Sequence, residues 1–181
     1  MYRPNVCVFL FNEKVEFLGC QRVKSEHFQC VQGGIESTDT DVTLAALREV
    51  EEEIGLKPQD LTFVQEIPPP NGDPMNFAYS LSAGANLRRF GYIGQKQRIL
   101  LFFTPSANIS KVVLVPPPEL HALQEFRKVE WMPIEELVAK TLPEKAHIFK
   151  AVAAVAPDLA RAFLQKKKNH GHTDAKETAK Y

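Results

Sequence analysis

Residues Val6 to Phe11 form an unbroken apolar run, Val-Cys-Val-Phe-Leu-Phe, rich in β-branched and aromatic side chains and short enough for a strand buried on both faces. Asn12-Glu13-Lys14 breaks it as a turn would, and Val15 to Val23 is a second strand candidate. Phe28-Gln29-Cys30-Val31-Gln32 leads into Gly33-Gly34, where a sharp bend is expected. After a loop from Ile35 to Thr40, Asp41 to Ile54 reads as a helix. It contains good helix formers and no Gly or Pro, with Thr38, Asp39 and Thr40 as cap-type residues in front and Gly55 behind. Leu47, Val50 and Ile54 share one face as the expected core stripe, while Glu49, Glu52 and Glu53 gather on another.

Leu61 to Ile67 is a further strand, followed by the irregular Pro68 to Pro74. Ile99 to Thr104 reads as a second fully buried strand, and in Phe126 to Met132 the apolar Val129 and Trp131 alternate with charge, as in a half-exposed strand. Pro133 to Val138 predicts a short helix and Ala146 to Leu164 a longer one interrupted near Pro157. Residues 1–165 thus form one domain, and Lys166 to Tyr181, without apolar pattern, is expected to be a disordered polar tail. Strands and helices mixed without regular alternation predict an α/β fold with a mixed sheet between helices.

Composition narrows the function. The 181 residues are 44% hydrophobic and 24% charged, enough for a real core. The 22 basic and 22 acidic residues cancel, which argues against a DNA-wrapping or membrane-surface protein and makes any polyanion site local. No apolar stretch is long enough to span a bilayer, and Met1-Tyr2-Arg3-Pro4-Asn5 lacks the plan of a secretory signal, so an intracellular, cytoplasmic protein is expected. Cys7, Cys20 and Cys30 have no paired spacing and read as buried thiols.

Three carboxylates on one helical face repel one another, and a hard divalent cation bound by oxygen ligands would offset all three at once. The run from Gly34 to Leu56 ends Arg48-Glu49-Val50-Glu51-Glu52-Glu53-Ile54-Gly55-Leu56. It resembles the Nudix box, in which Gly, five residues, Glu and seven residues precede Arg-Glu-apolar-x-Glu-Glu-x-Gly-apolar. The ending matches at each defined position, whereas the isolated Glu of the pattern is Thr40 here. In the family that Glu supports the box arginine and the later glutamates hold the metal. Tyr2-Arg3-Pro4-Asn5-Val6, Gln32-Gly33-Gly34-Ile35, Gly94-Gln95-Lys96-Gln97 and Glu125-Phe126 with Trp131 beyond resemble one branch. That branch comprises the bacterial RNA pyrophosphohydrolases and the asymmetrical dinucleoside-tetraphosphate hydrolases.

The resemblance implies a Nudix fold and a set of roles. Glu49, Glu52, Glu53 and Glu125 would hold Mg2+ or Mn2+, with Glu49 also accepting the proton of the attacking water and Arg48 orienting the carboxylates. Arg3, Arg22 and Lys150 correspond to cations that grip the phosphate chain, and arginine's planar fork suits that task. Tyr79 and Phe149 correspond to aromatics near the nucleobase, although Phe149 on a helix fits the core equally well. Gln95 and Gln97 point the same way on a strand, either toward substrate or into a structural hydrogen-bond network. The expected activity is metal-dependent hydrolysis of a phosphoanhydride, in the 5′-triphosphorylated end of RNA, in dinucleoside polyphosphates such as diadenosine tetraphosphate, or in both. The alternative, which Thr40 permits, is a catalytically reduced subunit that binds RNA or nucleotides. Neither DNA nor a membrane is an expected partner.

Overall fold

The computed structural model describes residues 1–178. Its frame is the parallel pairing of β1 (Tyr2–Phe11) with β7 (Gly94–Phe103), residue for residue from Tyr2 beside Gly94 to Phe11 beside Phe103. All other pairings are antiparallel. β4 (Val31–Gly34) takes the outer edge of β1 near its start, and β2 (Phe17–Arg22) takes it at Phe11. β3 (Phe28–Gln29) and β8 (Phe126–Met132) pair with β2. β5 (Thr62–Ile67) and the three-residue β6 (Ala78–Ser80) share the free edge of β7.

The two apolar strands are buried on both faces, as their unbroken apolar runs predict. Val6, Val8 and Leu10 of β1, with Leu100 and Phe102 of β7, pack on one side against Ala45, Ala46, Val50 and Ile54 of α1 (Val42–Ile54). Cys7, Phe9 and Phe11, with Ile99, Leu101 and Phe103, pack on the other. There they meet α2 (Ile134–Lys140), α3 (Ala146–Ala153) and α4 (Ala156–Thr178). The sheet is therefore mixed and sandwiched between helices. All three cysteines are buried free thiols. Burial pushes the Cys20 and Cys30 thiols well above the ordinary range. No helix among the described residues is long and apolar enough to cross a membrane.

Three expectations change. Asp41 is the cap of α1, its carboxylate accepting the Thr43 N–H at 2.7 Å, and the helix begins at Val42. Gly33 and Gly34 lie in strand β4 without positive φ, so they do not mark a bend. β7 begins at Gly94, five residues before Ile99, and recruits β6, which is too short for a periodic signal. Lys166 lies within α4, which runs to Thr178, and residues 179–181 lie outside the described residues. Phe163 anchors that helix against Phe11 and Phe103, and the Lys167 ammonium lies 4.4 Å from the centre of the Phe103 ring. The predicted interruption near Pro157 falls between α3 and α4.

Candidate active site

Glu49 and Glu53 are one turn apart on α1 and fall within the arc of Ala45, Ala46 and Val50, the side that faces the sheet. This corrects the sequence-based separation of the acidic face from the core stripe. The Glu49 carboxylate lies where a Cβ on Gly33 would be, so only glycine at that position admits it. Burial, helped by Glu52 and opposed by Arg48 and Arg3, pushes Glu49 up to about 7. Burial also pushes Glu53 up to about 9, reinforced by Glu49 and Glu125 and opposed by a backbone hydrogen bond from Gln32. One oxygen of Glu53, Oε2, is buried without a hydrogen-bond partner. Glu52 is exposed at the edge of this arc.

Arg48 joins the helix to the loop before it. Its guanidinium reaches Glu36 at 3.0 Å, Asp39 at 3.1 Å and Glu49 at 3.5 Å, and it donates to the Gly34 carbonyl at 3.2 Å. Asp39 also accepts the Glu36 N–H at 2.7 Å, which closes the loop on itself. Thr40 is exposed. The loop carboxylates that meet the box arginine are thus those of Asp39 and Glu36, close before the position where the family pattern has its Glu.

The cations assemble on the other side of β4. Arg3 occupies the space a Cβ on Gly34 would take and donates to Gln95 Oε1 at 3.3 Å. Gln95 accepts a second bond from Asn5 at 3.0 Å and donates to the Tyr79 hydroxyl. Gln97 donates to Asn5 at 2.9 Å and to Gln32 at 2.7 Å. The parallel register makes this network possible, because it sets Arg3 beside Gln95 and Asn5 beside Gln97. The two glutamines form a buried network, and Gln95 also walls a cavity.

That cavity, ≈430 Å³ in volume, is lined by Arg22, Gln32, Tyr79, Gln95 and Lys145 and by the chain segment after β6. Arg22, at a bulge that ends β2, lies 3.4 Å from Glu125. Gln32 links the two halves of the site, with its backbone beside Glu53 and its side chain in the cavity wall. Burial pushes the Tyr79 hydroxyl up to about 12.

Two expected residues are elsewhere. Phe149 is 1% exposed and packs edge-on against Phe9 at 5.1 Å, so it belongs to the core. Lys150 is exposed on α3. The lysine in the cavity wall is Lys145, 3% exposed, which donates to Gln29 at 2.9 Å and lies 4.8 Å from the centre of the Tyr79 ring. Burial lowers its pKa to about 8. A signal for it existed. Lys145, Ile148, Phe149 and Val152 follow the spacing of one helical stripe, so a lysine stands where an inward-facing residue is due.

Carboxylates thus stand on one flank of a strand end and cations around a cavity on the other. The chain belongs to the NUDIX domain family, whose pattern matches residues 1–153, and it is a pyrophosphohydrolase. It is 31% identical over 163 residues to the RNA pyrophosphohydrolase of Xanthomonas oryzae pv. oryzae, covering 88% of this chain and 75% of that protein. Over 153 residues it is 32% identical to the RNA pyrophosphohydrolase of Roseobacter denitrificans, covering 83% of this chain and 89% of that one. The solved binary complex of a C. elegans Ap4A hydrolase shares the fold with a TM-score of 0.53 at 14% identity, covering 84% and 96% of the two chains.

Nudix hydrolases use divalent metal ions. Among the described residues no three His, Cys, Asp or Glu side chains stand close enough to form a finished metal cage. The acids instead influence one another in pairs, Glu49 with Glu52, and Glu53 with Glu49 and Glu125. Hard oxygen donors, mutual repulsion and the orphaned Oε2 of Glu53 all fit a divalent cation, which would satisfy that oxygen and screen the repulsion.

Proposed function

We propose that this chain hydrolyses a phosphoanhydride in 5′-triphosphorylated RNA, releasing pyrophosphate, and in dinucleoside polyphosphates such as diadenosine tetraphosphate. Mg2+ or Mn2+ would be held by Glu49, Glu53 and Glu125, with Glu52 at the rim. The observation that carries this reading is the continuity of the two flanks through Gln32, which touches the acids with its backbone and the cation-lined cavity with its side chain. A polyphosphate held by the cations would therefore extend past the acids.

A divalent ion there would lower the pKa of bound water and screen the phosphate oxygens. Glu49, oriented by Arg48, accepts the proton of the attacking water. Arg3 keeps one bond to Gln95 and turns its remaining donors to phosphate. Arg22 can leave Glu125 at little cost, because half-exposed ion pairs contribute about 1 kcal/mol or less. Lys145 adds a charge at the cavity wall, and Tyr79 walls the end that receives the base.

The test is a side-by-side comparison of catalytic efficiency on a short triphosphorylated RNA, diadenosine tetraphosphate and simple nucleoside triphosphates, with and without added Mg2+ or Mn2+. Metal-dependent cleavage of both larger substrates is expected. A clear preference for simple triphosphates over both would overturn the substrate assignment.

A further inference from the structure

Between β6 and β7 the chain makes an excursion that no strand or core residue requires. Its base is closed where Leu81 N–H meets the Ile93 carbonyl at 2.9 Å and Ile93 N–H meets the Met1 carbonyl at 2.9 Å. Arg88 ties it internally, donating to the Leu81 and Ser82 carbonyls at 2.8 and 2.9 Å. A 3-10 turn, Asn86–Phe90, follows and ends at Gly91, whose φ of 86° suits glycine. The excursion is therefore a braced element.

Its first part walls the cavity, ending with Asn86 and Leu87. In a 3-10 helix residues three apart eclipse one another, about 6 Å along the axis. Arg89 therefore stands beyond Asn86, and Phe90 beyond Leu87, one turn farther along. Phe90 is 64% exposed, and the Arg89 guanidinium covers one face of its ring, 5.0 Å from the centroid. Charge points the same way. The chain is neutral overall, yet residues 74–118 contain no Asp or Glu; of their cations Arg98 and Lys111 pair with Glu66 and Asp60, and the other three are Arg88, Arg89 and Lys96.

We propose that Arg89 and Phe90 form a platform for single-stranded RNA. The open face of Phe90 stacks on a base downstream of the nucleotide held in the cavity, and Arg89 faces the connecting phosphate. Aromatic rings stack on any base, and an adjacent arginine braces the ring while attracting the backbone. The inference rests on the reading of triphosphorylated RNA as a substrate, and it gives that substrate a contact that a dinucleoside polyphosphate does not use.

Two measurements on the full chain separate the platform from that reading. The first follows catalytic efficiency on triphosphorylated RNAs of increasing length, with diadenosine tetraphosphate as the reference. Wild type should gain roughly fivefold or more once a stacked downstream base is present. Phe90→Ala should abolish the gain, Phe90→Trp should keep it, and Arg89→Ala should reduce it, all with diadenosine tetraphosphate cleavage unchanged. The second is fluorescence anisotropy of a labelled 5′-monophosphate hexanucleotide, which needs no turnover. Weaker binding by Phe90→Ala supports the platform even if RNA is not cleaved, an outcome that would sink only the substrate reading. The platform is overturned if Phe90→Ala keeps both the length dependence and the oligonucleotide affinity, or loses cleavage of diadenosine tetraphosphate in equal measure. Wild type that neither binds the hexanucleotide nor responds to length also overturns it.

Discussion

Gly33 and Gly34 are neighbours on one short strand, yet they make room for opposite charges. Where the first would carry a Cβ lies the Glu49 carboxylate, and where the second would carry one lies the Arg3 guanidinium. The two flanks are held differently. Glu49 and Glu53 are short side chains on one helix, pressed between apolar neighbours, so the fold itself dictates their geometry. Arg3, Arg22 and Lys145 come from three separate segments on long side chains, so rotamers can adjust them. The acidic flank should therefore tolerate almost no displacement, and the basic flank should lose affinity gradually.

The largest effect is expected inside the acidic flank. Glu53→Gln keeps the shape and removes the charge, and turnover should fall by more than the ~10–100-fold typical of groups that only orient metal ligands. Glu52→Gln, at the exposed rim, should also lower turnover and metal affinity, but by less. Metal-titrated kinetics of both variants test the ranking, and equal or negligible losses would contradict it. The glycines sharpen the comparison next. Gly33→Ala displaces the Glu49 carboxylate from its place beside Arg48, and kcat should drop by about 100-fold. Gly34→Ala displaces the far end of a flexible arginine and should mainly raise KM. A loss of kcat in Gly34→Ala as large as that in Gly33→Ala would erase the distinction between the flanks.

A third test concerns the brace between loop and helix. Asp39→Ala frees Arg48 from one carboxylate and should cost on the order of 10-fold in turnover. Thr40→Glu should change the wild type little, yet recover part of that loss in the Asp39→Ala background. An inactive wild type rescued by Thr40→Glu alone would instead mark the chain as a lapsed enzyme.

The smallest effect is on stability. The Lys145 pKa falls from its ordinary 10.5 to about 8 in the folded protein. Between those values the unfolded chain binds more protons, so folding stability should rise with pH across that window. Lys145→Met should remove this rise in denaturation curves taken across the window, while raising KM for the polyphosphate. An unchanged pH dependence would show that the lysine is not desolvated as described.

What could be read from the chain depended on whether the information was local. The two-sided burial of β1 and β7 was legible because each contributes a continuous apolar run, Val6 to Phe11 and Ile99 to Phe103. The box helix was legible from its caps and its acids. The polar first half of β7 was not, because Gln95 and Gln97 are buried only by virtue of Asn5, Gln32 and Tyr79, which are distant in sequence. Resemblance placed the last phosphate cation at Lys150 when the cavity lysine stands five residues earlier, and the apolar stripe around Lys145 held the local clue. Asp39 reads as a cap-type residue, and its pairing with Arg48 was not legible for a related reason. Its partner is fixed by the path of a loop, and a motif counted residue by residue expects the acid one position later.

A buried thiol gives the site a built-in clock. Cys30 and Cys7 pack in the same core cluster as Tyr79, and a hydrogen bond joins the two thiols. A buried thiol whose ionisation is suppressed reacts with an alkylating reagent only during a transient opening. The rate at which native protein acquires label at Cys30 therefore counts how often the floor of the site comes apart. That rate should slow when a substrate analogue and metal together hold the flanks in place.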